Sequence, residues 1–218
     1  MTPQPIVIVG TGGSGRETLA LLRDIEDATP GTWDFRGFLG TDEPEIALLE
    51  RLEAPFVDSP FGLTQRIPKS HTWSFALGLG NSLARRAMAN ALIAQGLSAA
   101  TLIHPNALIG PDVVLGTGVT VCANSVITTN VRIGDFCQVN IGCVIGHDAR
   151  IGDFVTFAQS VNIAGNVTVK DYANLCTRSV VIPGLTVGES AVVGAGAVVI
   201  SSVNANSTVV GIPARPVG

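Results

Sequence analysis

From Ile103 onward the sequence carries an apolar residue at every sixth position: Ile103, Ile109, Leu115, Val121, Ile127, Ile133, Val139, Ile145, Ile151, Phe157, Ile163, Val169, Leu175, Val181, Val187, Val193 and Val199. In a chain that is 46% apolar, seventeen consecutive hits arise by chance on the order of once in half a million registers. A helix repeats near 3.6 residues and a flat strand at two, so neither generates six. A coil of short strands joined by turns does. The residue four places after a hit is nearly always small or β-branched, as at Val113, Val131, Cys143, Ala149, Val161 and Ala173, so two residues in six face inward. Gly follows the hit at Ile109, Leu115, Ile133, Ile145, Ile151, Val187 and Val193, where a tight corner favours a residue without Cβ. Such an interior is filled by small branched side chains, in keeping with an aromatic content of only 5%.

The first hundred residues read differently. An apolar strand over Pro5 to Gly10 runs into Gly10-Thr11-Gly12-Gly13-Ser14-Gly15 and then a helical stretch, Arg16 to Ile25. A GxGxxG turn between strand and helix lets phosphate or ribose approach the backbone and the positive end of the helix dipole. The alternative is that Gly12 and Gly15 only permit close strand–helix packing. Further strands are expected at Asp34 to Leu39 and Thr72 to Leu79, with helices at Glu45 to Leu52 and Asn81 to Gly96. A dinucleotide site wants an acidic residue at the end of the second strand. Here that strand ends Gly37-Phe38-Leu39-Gly40, and the segment has half the length of a full dinucleotide fold. A nucleotide-linked ligand at the carboxyl ends of the strands is therefore the expectation.

Composition narrows the partners. The net charge is −4 and the 13 basic residues form no run, which argues against nucleic acid. The apolar stretch Pro5 to Val9 is too short for a signal sequence, and no stretch approaches the roughly 20 apolar residues that span a bilayer. The expectation is a soluble, cytoplasmic protein without membrane insertion. Cys122, Cys137, Cys143 and Cys176 lack CxxC spacing and fall in the periodic region, so they read as small thiols and no metal is expected.

Taken together, Gly10 to Arg16, Gly78-Leu79-Gly80-Asn81, Leu102-Ile103-His104-Pro105 and the unbroken hexads resemble the sialic-acid O-acetyltransferase and nucleotide-amino-sugar N-acetyltransferase family over essentially the whole chain. These are hexapeptide-repeat sugar acyltransferases. The resemblance implies an N-terminal Rossmann-like α/β half domain (1–97) that holds a sugar nucleotide. It implies that residues 98–218 form a left-handed parallel β-helix, three hexads to a triangular rung, which makes a homotrimer with acetyl-CoA between neighbouring subunits.

Acetyl transfer requires a base that takes the acceptor's proton as it attacks the thioester. His147 lies in Ile145-Gly146-His147-Asp148, points outward by phase and matches the family's catalytic histidine; Asp148 matches its acidic partner and Asn140 a polar residue of the substrate cleft. The resemblance makes Gly165, in Ala164-Gly165-Asn166, the backbone donor to the thioester oxygen. Gly194, Ala195 and Gly196 match the corner that holds the pantetheine arm, and Gly211 to Arg215 the segment near the CoA nucleotide. On the acceptor side it assigns Gly10, Gly12, Gly13, Ser14, Gly15, Asp42, Gly80 and Asn81.

Departures from the family pattern are specific. Thr156 stands where a second histidine often contacts the acetyl donor, and Gly40-Thr41-Asp42 replaces a pair of aspartates, leaving Asp42 in that role. Ser14 replaces a histidine of the glycine turn, and Cys176 a corner glycine. His104 reads as a structural residue and His71 as a solvated one.

The leading expectation is N-acetylation of a nucleotide-activated aminodeoxy sugar, with acetyl-CoA as co-substrate. O-acetylation of a sugar or sialic acid would use the same base and donor. A γ-type carbonic anhydrase shares the coil but needs three histidines at zinc, and only His104 and His147 lie in this one. A non-catalytic sugar-nucleotide scaffold is the remaining class.

Overall fold

The computed structural model describes residues 2–40, 45–60 and 73–217. Asp42 and His71 lie outside the described residues. The chain forms two compact units, Met1–Leu102 and Ile103–Gly218.

In the first unit β1 (Gln4–Val9) leads into α1 (Gly13–Ala28), followed by β2 (Trp33–Leu39), α2 (Ile46–Arg51), β3 (Phe56–Asp58), β4 (Ser74–Leu77), α3 (Ser82–Ala94) and β5 (Ser98–Ala99). The strands make one parallel sheet in the order β3-β2-β1-β4-β5. Ile6, Val7, Ile8 and Val9 of β1 are all buried, the unbroken apolar run of a strand covered on both faces. α1 buries Thr18, Leu19, Leu21 and Leu22. It begins inside the glycine turn, three residues earlier than expected, because Gly12 already serves as its N-cap. β3 and β5 were not foreseen. Since β5 pairs with β4, Ser98–Ala99 belongs to the α/β sheet and the units divide after Leu102.

The second unit is the coil. Seventeen two-residue strands, β6 to β22, run from Leu102–Ile103 to Val198–Val199 and stack into three parallel sheets. Each residue pairs with the one eighteen positions on, as in Val126↔Val144 and Arg132↔Arg150, so three hexads close one rung of a left-handed β-helix. Both inward positions are buried, with Val139, Cys143, Ile145, Ala149, Val155, Phe157 and Val161 all at 0% exposure. Full burial stabilises by about 1.5–3 kcal/mol per large apolar side chain. Ile103 and Ile109, in the first rung, remain 38% and 37% exposed. The period breaks at the other end, where β23 (Thr208–Val210) pairs with Val192–Val193 at a separation of sixteen and β24 (Arg215–Val217) folds back antiparallel.

The sheets meet along three edges: residues 110–112, 128–130, 146–148, 164–166 and 182–184 on the first; 116–118, 134–136, 152–154, 170–172 and 188–190 on the second; 122–124, 140–142, 158–160, 176–178 and 194–196 on the third. A left-handed residue recurs every six positions at these corners, from Asp112 (φ 53°) to Gly196 (φ 67°), and most are not glycine. The glycines that follow the apolar hits sit elsewhere in the turn. A Cβ on Gly110 would come within 1.7 Å of the Thr128 carbonyl oxygen, and one on Gly146 within 2.7 Å of the Ala164 carbonyl carbon. Close approach of the next rung, and not backbone conformation, is what calls for glycine there.

The second edge is tied by ladders. Asp135, Asp153 and Asp171 accept from the amides of Thr117, Asp135 and Asp153 at 2.8, 2.8 and 2.9 Å. Phe136, Phe154 and Tyr172 stack with ring centroids 5.2 and 5.5 Å apart, worth roughly 0.5–1.5 kcal/mol per pair beyond burial.

Candidate active site

A cavity of about 500 Å³ opens in the first unit, lined by Val9 to Ser14, Gly40, Pro60, Gly78 to Gly80 and, from α3, Ala84, Ala87 and Met88. It lies at the carboxyl ends of β1 and β4, the point where the sheet order reverses and where open α/β sheets bind ligands. The glycines divide by role. A Cβ at Gly15 would fall 1.8 Å from the Gly10 carbonyl oxygen, and one at Gly10, where φ is +102°, 2.6 Å from the Gly78 carbonyl oxygen. Those two hold strand and helix together. Gly12, Gly13 and Gly80 meet nothing within 4 Å and present open backbone to the cavity.

Neighbouring side chains fix these loops. Asn81 is the N-cap of α3, its Oδ1 accepting from the Ala84 amide at 2.9 Å. Arg85, 1% exposed, donates from Nη1 to the carbonyls of Leu79 and Gly80 at 3.1 and 3.0 Å. Arg16 donates to the Thr11 carbonyl at 3.2 Å. Two cations thus draw loop carbonyls toward themselves on either side of the cavity. Sequence reasoning missed Arg85 and the α3 face, since an Arg in an amphipathic helix reads as a solvated residue.

In the second unit His147 and Asp148 occupy the first edge, between β13 (Val144–Ile145) and β14 (Arg150–Ile151). The imidazole points out of the coil, with 58% of its side chain exposed, and its Nδ1 lies 2.7 Å from Asp148 Oδ2. A proton on Nδ1 donated to the carboxylate leaves Nε2 as the ring nitrogen with a free lone pair. The other carboxylate oxygen accepts from Asn130 Nδ2 at 3.3 Å. The imidazole, and after it the Asn130 amide, hold the Asp148 carboxyl below its ordinary value.

Gly165 belongs to the following rung of the same edge. A Cβ on it would fall 2.4 Å from His147 Nε2, so the ring lies directly against this glycine. Where the second edge caps its corner amides with aspartates, none of the described residues accepts the Gly165 N–H. The base and the expected oxyanion donor therefore adjoin.

The remaining expected residues sit elsewhere on the coil. Asn140 is on the third edge, its Nδ2 donating to the Phe157 carbonyl at 2.7 Å. Gly194, Ala195 and Gly196 are on that edge too, with Ala195 and Gly196 exposed. Thr156 stands in β15 (Thr156–Phe157), beside the inward Phe157, with Gln138 and Asn174 as strand partners. Within one chain these groups and His147 lie on different parts of the prism. His104 Nδ1 accepts from the Asn106 amide at 2.9 Å, a local turn contact. Burial pushes the Cys143 thiol up to about 11 and raises Cys176 as well, which disfavours either as a nucleophile. Among the described residues no helix is long and apolar enough to cross a membrane.

No protein-family model matches the sequence. A Schizosaccharomyces pombe protein described as an acetyltransferase is 50% identical over 38 residues, a match spanning 17% of this chain and 18% of that protein. Likeness in structure extends over the whole chain. PerB from Caulobacter crescentus, solved with CoA and GDP-perosamine, superposes with a TM-score of 0.89 at 29% identity, over 98% of this chain and 97% of its own. WeeI from Acinetobacter baumannii gives 0.86 at 29% identity, over 98% and 100%. The acetyltransferase domain of PglB from Neisseria gonorrhoeae, solved with acetyl coenzyme A, gives 0.84 at 24% identity, over 99% and 100%, a likeness of fold. Variants of the Caulobacter perosamine N-acetyltransferase in which one histidine is replaced by Asn or Ala have also been solved with CoA and GDP-perosamine.

Proposed function

We propose that this chain, a member of the hexapeptide-repeat sugar acyltransferases, transfers acetyl from acetyl-CoA to the amine of a nucleotide-activated aminodeoxy sugar, with His147 as general base. One observation carries the reading: the outward imidazole is bonded through Nδ1 to Asp148 and lies against Gly165. That arrangement leaves the Nε2 lone pair free to take a proton and sets the ring against Gly165. Likeness to a protein solved with CoA and GDP-perosamine supports the donor and the acceptor class.

Chemically, the acceptor nitrogen attacks the thioester carbonyl while its proton passes to His147 Nε2. The carbonyl oxygen gains negative charge, which the Gly165 N–H meets with a hydrogen bond; removing one such donor costs about 10²–10³ in kcat in a hydrolase where it has been measured. The C–S bond then breaks and the imidazolium returns its proton to the sulfur, leaving an amide and the free thiol. Asp148 stabilises the transient imidazolium.

The donor would lie along the third edge, at Gly194 to Gly196, where exposed backbone can accommodate the pantetheine arm. Since that edge is separate from the one bearing His147, a complete site takes the first edge of one subunit and the third edge of another, in a homotrimer. The acceptor's nucleotide would occupy the cavity of the α/β unit, whose glycine backbone meets the start of α1.

Incubation with acetyl-CoA and a panel of nucleotide-linked amino sugars, with thiol release followed, tests the proposal. Release that depends on one of the amines is the expected result. Release only with hydroxyl sugars would assign O-acetylation instead, and no release with any acceptor would overturn the reading.

A further inference from the structure

We propose that Asn130 is a positioning residue for the His147–Asp148 pair, holding the carboxylate that orients the imidazole. The inference rests on the reading of His147 as base. It comes from a continuous run of hydrogen bonds along the first edge. The Thr129 hydroxyl, with its single proton, lies 2.9 Å from the Pro111 carbonyl and 3.2 Å from Asn130 Oδ1, either of which can accept it. Asn130 Nδ2 donates to Asp148 Oδ1 at 3.3 Å, and Asp148 Oδ2 accepts from His147 Nδ1 at 2.7 Å.

Each link has a physical reason. Asn130 is a corner residue with φ 58°, a conformation that Asn adopts more readily than most side chains. It stands eighteen positions before Asp148, one rung away on the same edge, so register brings its amide to the carboxylate. The ionised Asp148 carboxylate only accepts, so the end of the Asn130 amide that faces it is the donor Nδ2, with Oδ1 beside the Thr129 hydroxyl. The Asp148 side chain is 41% exposed. Without the amide only the imidazole holds the carboxylate, so the pair can swing together and the ring is aimed less closely, while the full charge of Asp148 falls on the imidazole. The other charges around the pair are few: Arg150, two residues along the strand, acts on Asp148, Asp112 is closed by Arg132 at 2.8 and 3.0 Å, and Gly165-Asn166 in the next rung carries none.

Asn130→Gly and Asn130→Asp both tolerate the left-handed corner, so the coil is expected to fold in each. For Asn130→Gly, kcat falls about tenfold or more, the scale of losing a hydrogen bond to a charged group, while both KM values stay within a few-fold. The acidic limb of the rate profile moves to higher pH, because an unshared carboxylate charge holds the imidazole proton longer. Asn130→Asp, which sets a second carboxylate against Asp148, moves the limb further. In the Asp148→Ala background, Asn130→Gly has no additional effect. Titration of the His147 ring nitrogens by NMR gives a readout independent of activity. The proposal is overturned if Asn130→Gly leaves both the rate profile and that titration unchanged. If the titration shifts but the wild-type protein acetylates nothing, the positioning role stands and the enzymatic reading fails.

Discussion

The imidazole of His147 rests on the α-carbon of Gly165, so closely that a methyl group there would lie 2.4 Å from Nε2 and 2.5 Å from Cε1. Gly165 is not in the left-handed region, so alanine is acceptable to the backbone and objectionable only to the ring. Gly165→Ala is expected to push the imidazole off the corner, lowering kcat/KM about 10²-fold or more, the scale of a misplaced general base. The melting temperature stays near wild type. Assay and thermal unfolding of the same preparation check this; a large loss of stability would assign Gly165 to packing instead.

Replacing Asp148 by Asn removes the charge that stabilises the imidazolium. Because His147, then Asn130, holds the Asp148 carboxyl below its ordinary value of 3.8, the wild-type group is ionised throughout the working range. The Asn variant then loses kcat by about 10²-fold or more, and its acidic limb shifts to lower pH, since the imidazolium gives up its proton more easily. For stability the sign follows from the depressed pKa. The contribution of Asp148 is present above the ordinary value and is lost as pH falls through the folded one. Urea midpoints of Asp148→Asn and wild type therefore converge in acid.

The proposed site, shared between subunits of a proposed homotrimer, predicts complementation. His147→Ala disables the first edge of a subunit, and Gly196→Trp obstructs the third edge. Each homotrimer is expected to be nearly inactive. Co-expression forms mixed trimers in which some interfaces combine two intact edges, and activity returns in part. Mixed trimers with no more activity than either parent would place the whole site within one chain.

Phe157 is the largest side chain buried inside the coil, at 0% exposure, with Val139 and Leu175 as its strand partners in the rungs before and after. Neighbouring rungs cannot collapse onto a void without losing their ladder bonds. Phe157→Ala is expected to cost about 3–5 kcal/mol, measured by denaturant unfolding. Rates per folded molecule should change little.

Much of this architecture is legible in the sequence because each hexad repeats the same demand, an apolar residue inward and a small one four places later. The corner glycines were misread in their cause: glycine follows Ile145 because Ala164 stacks against it, and stacking distance leaves no mark in a linear pattern. β3 and β5, three and two residues long, are too short to show alternation. His147 could be singled out as a candidate base because it faces outward at a corner and matches the catalytic histidine of the family the sequence resembles. Asn130 could not. Asn124, Asn166 and Asn206 occupy similar left-handed positions, so only the hydrogen bond to Asp148 distinguishes it. Arg85 was hidden for a related reason, since nothing in the helix pattern announces that its guanidinium turns inward to the carbonyls of Leu79 and Gly80.

Thiol release from acetyl-CoA by wild type and His147→Ala, with the best amine acceptor and across pH, tests the central claim most directly. The account predicts a kcat lower by about 10²–10⁴-fold in the variant, disappearance of the acidic limb, and retained binding of the acceptor's nucleotide. A variant whose kcat and pH profile stay within a few-fold of wild type would contradict it.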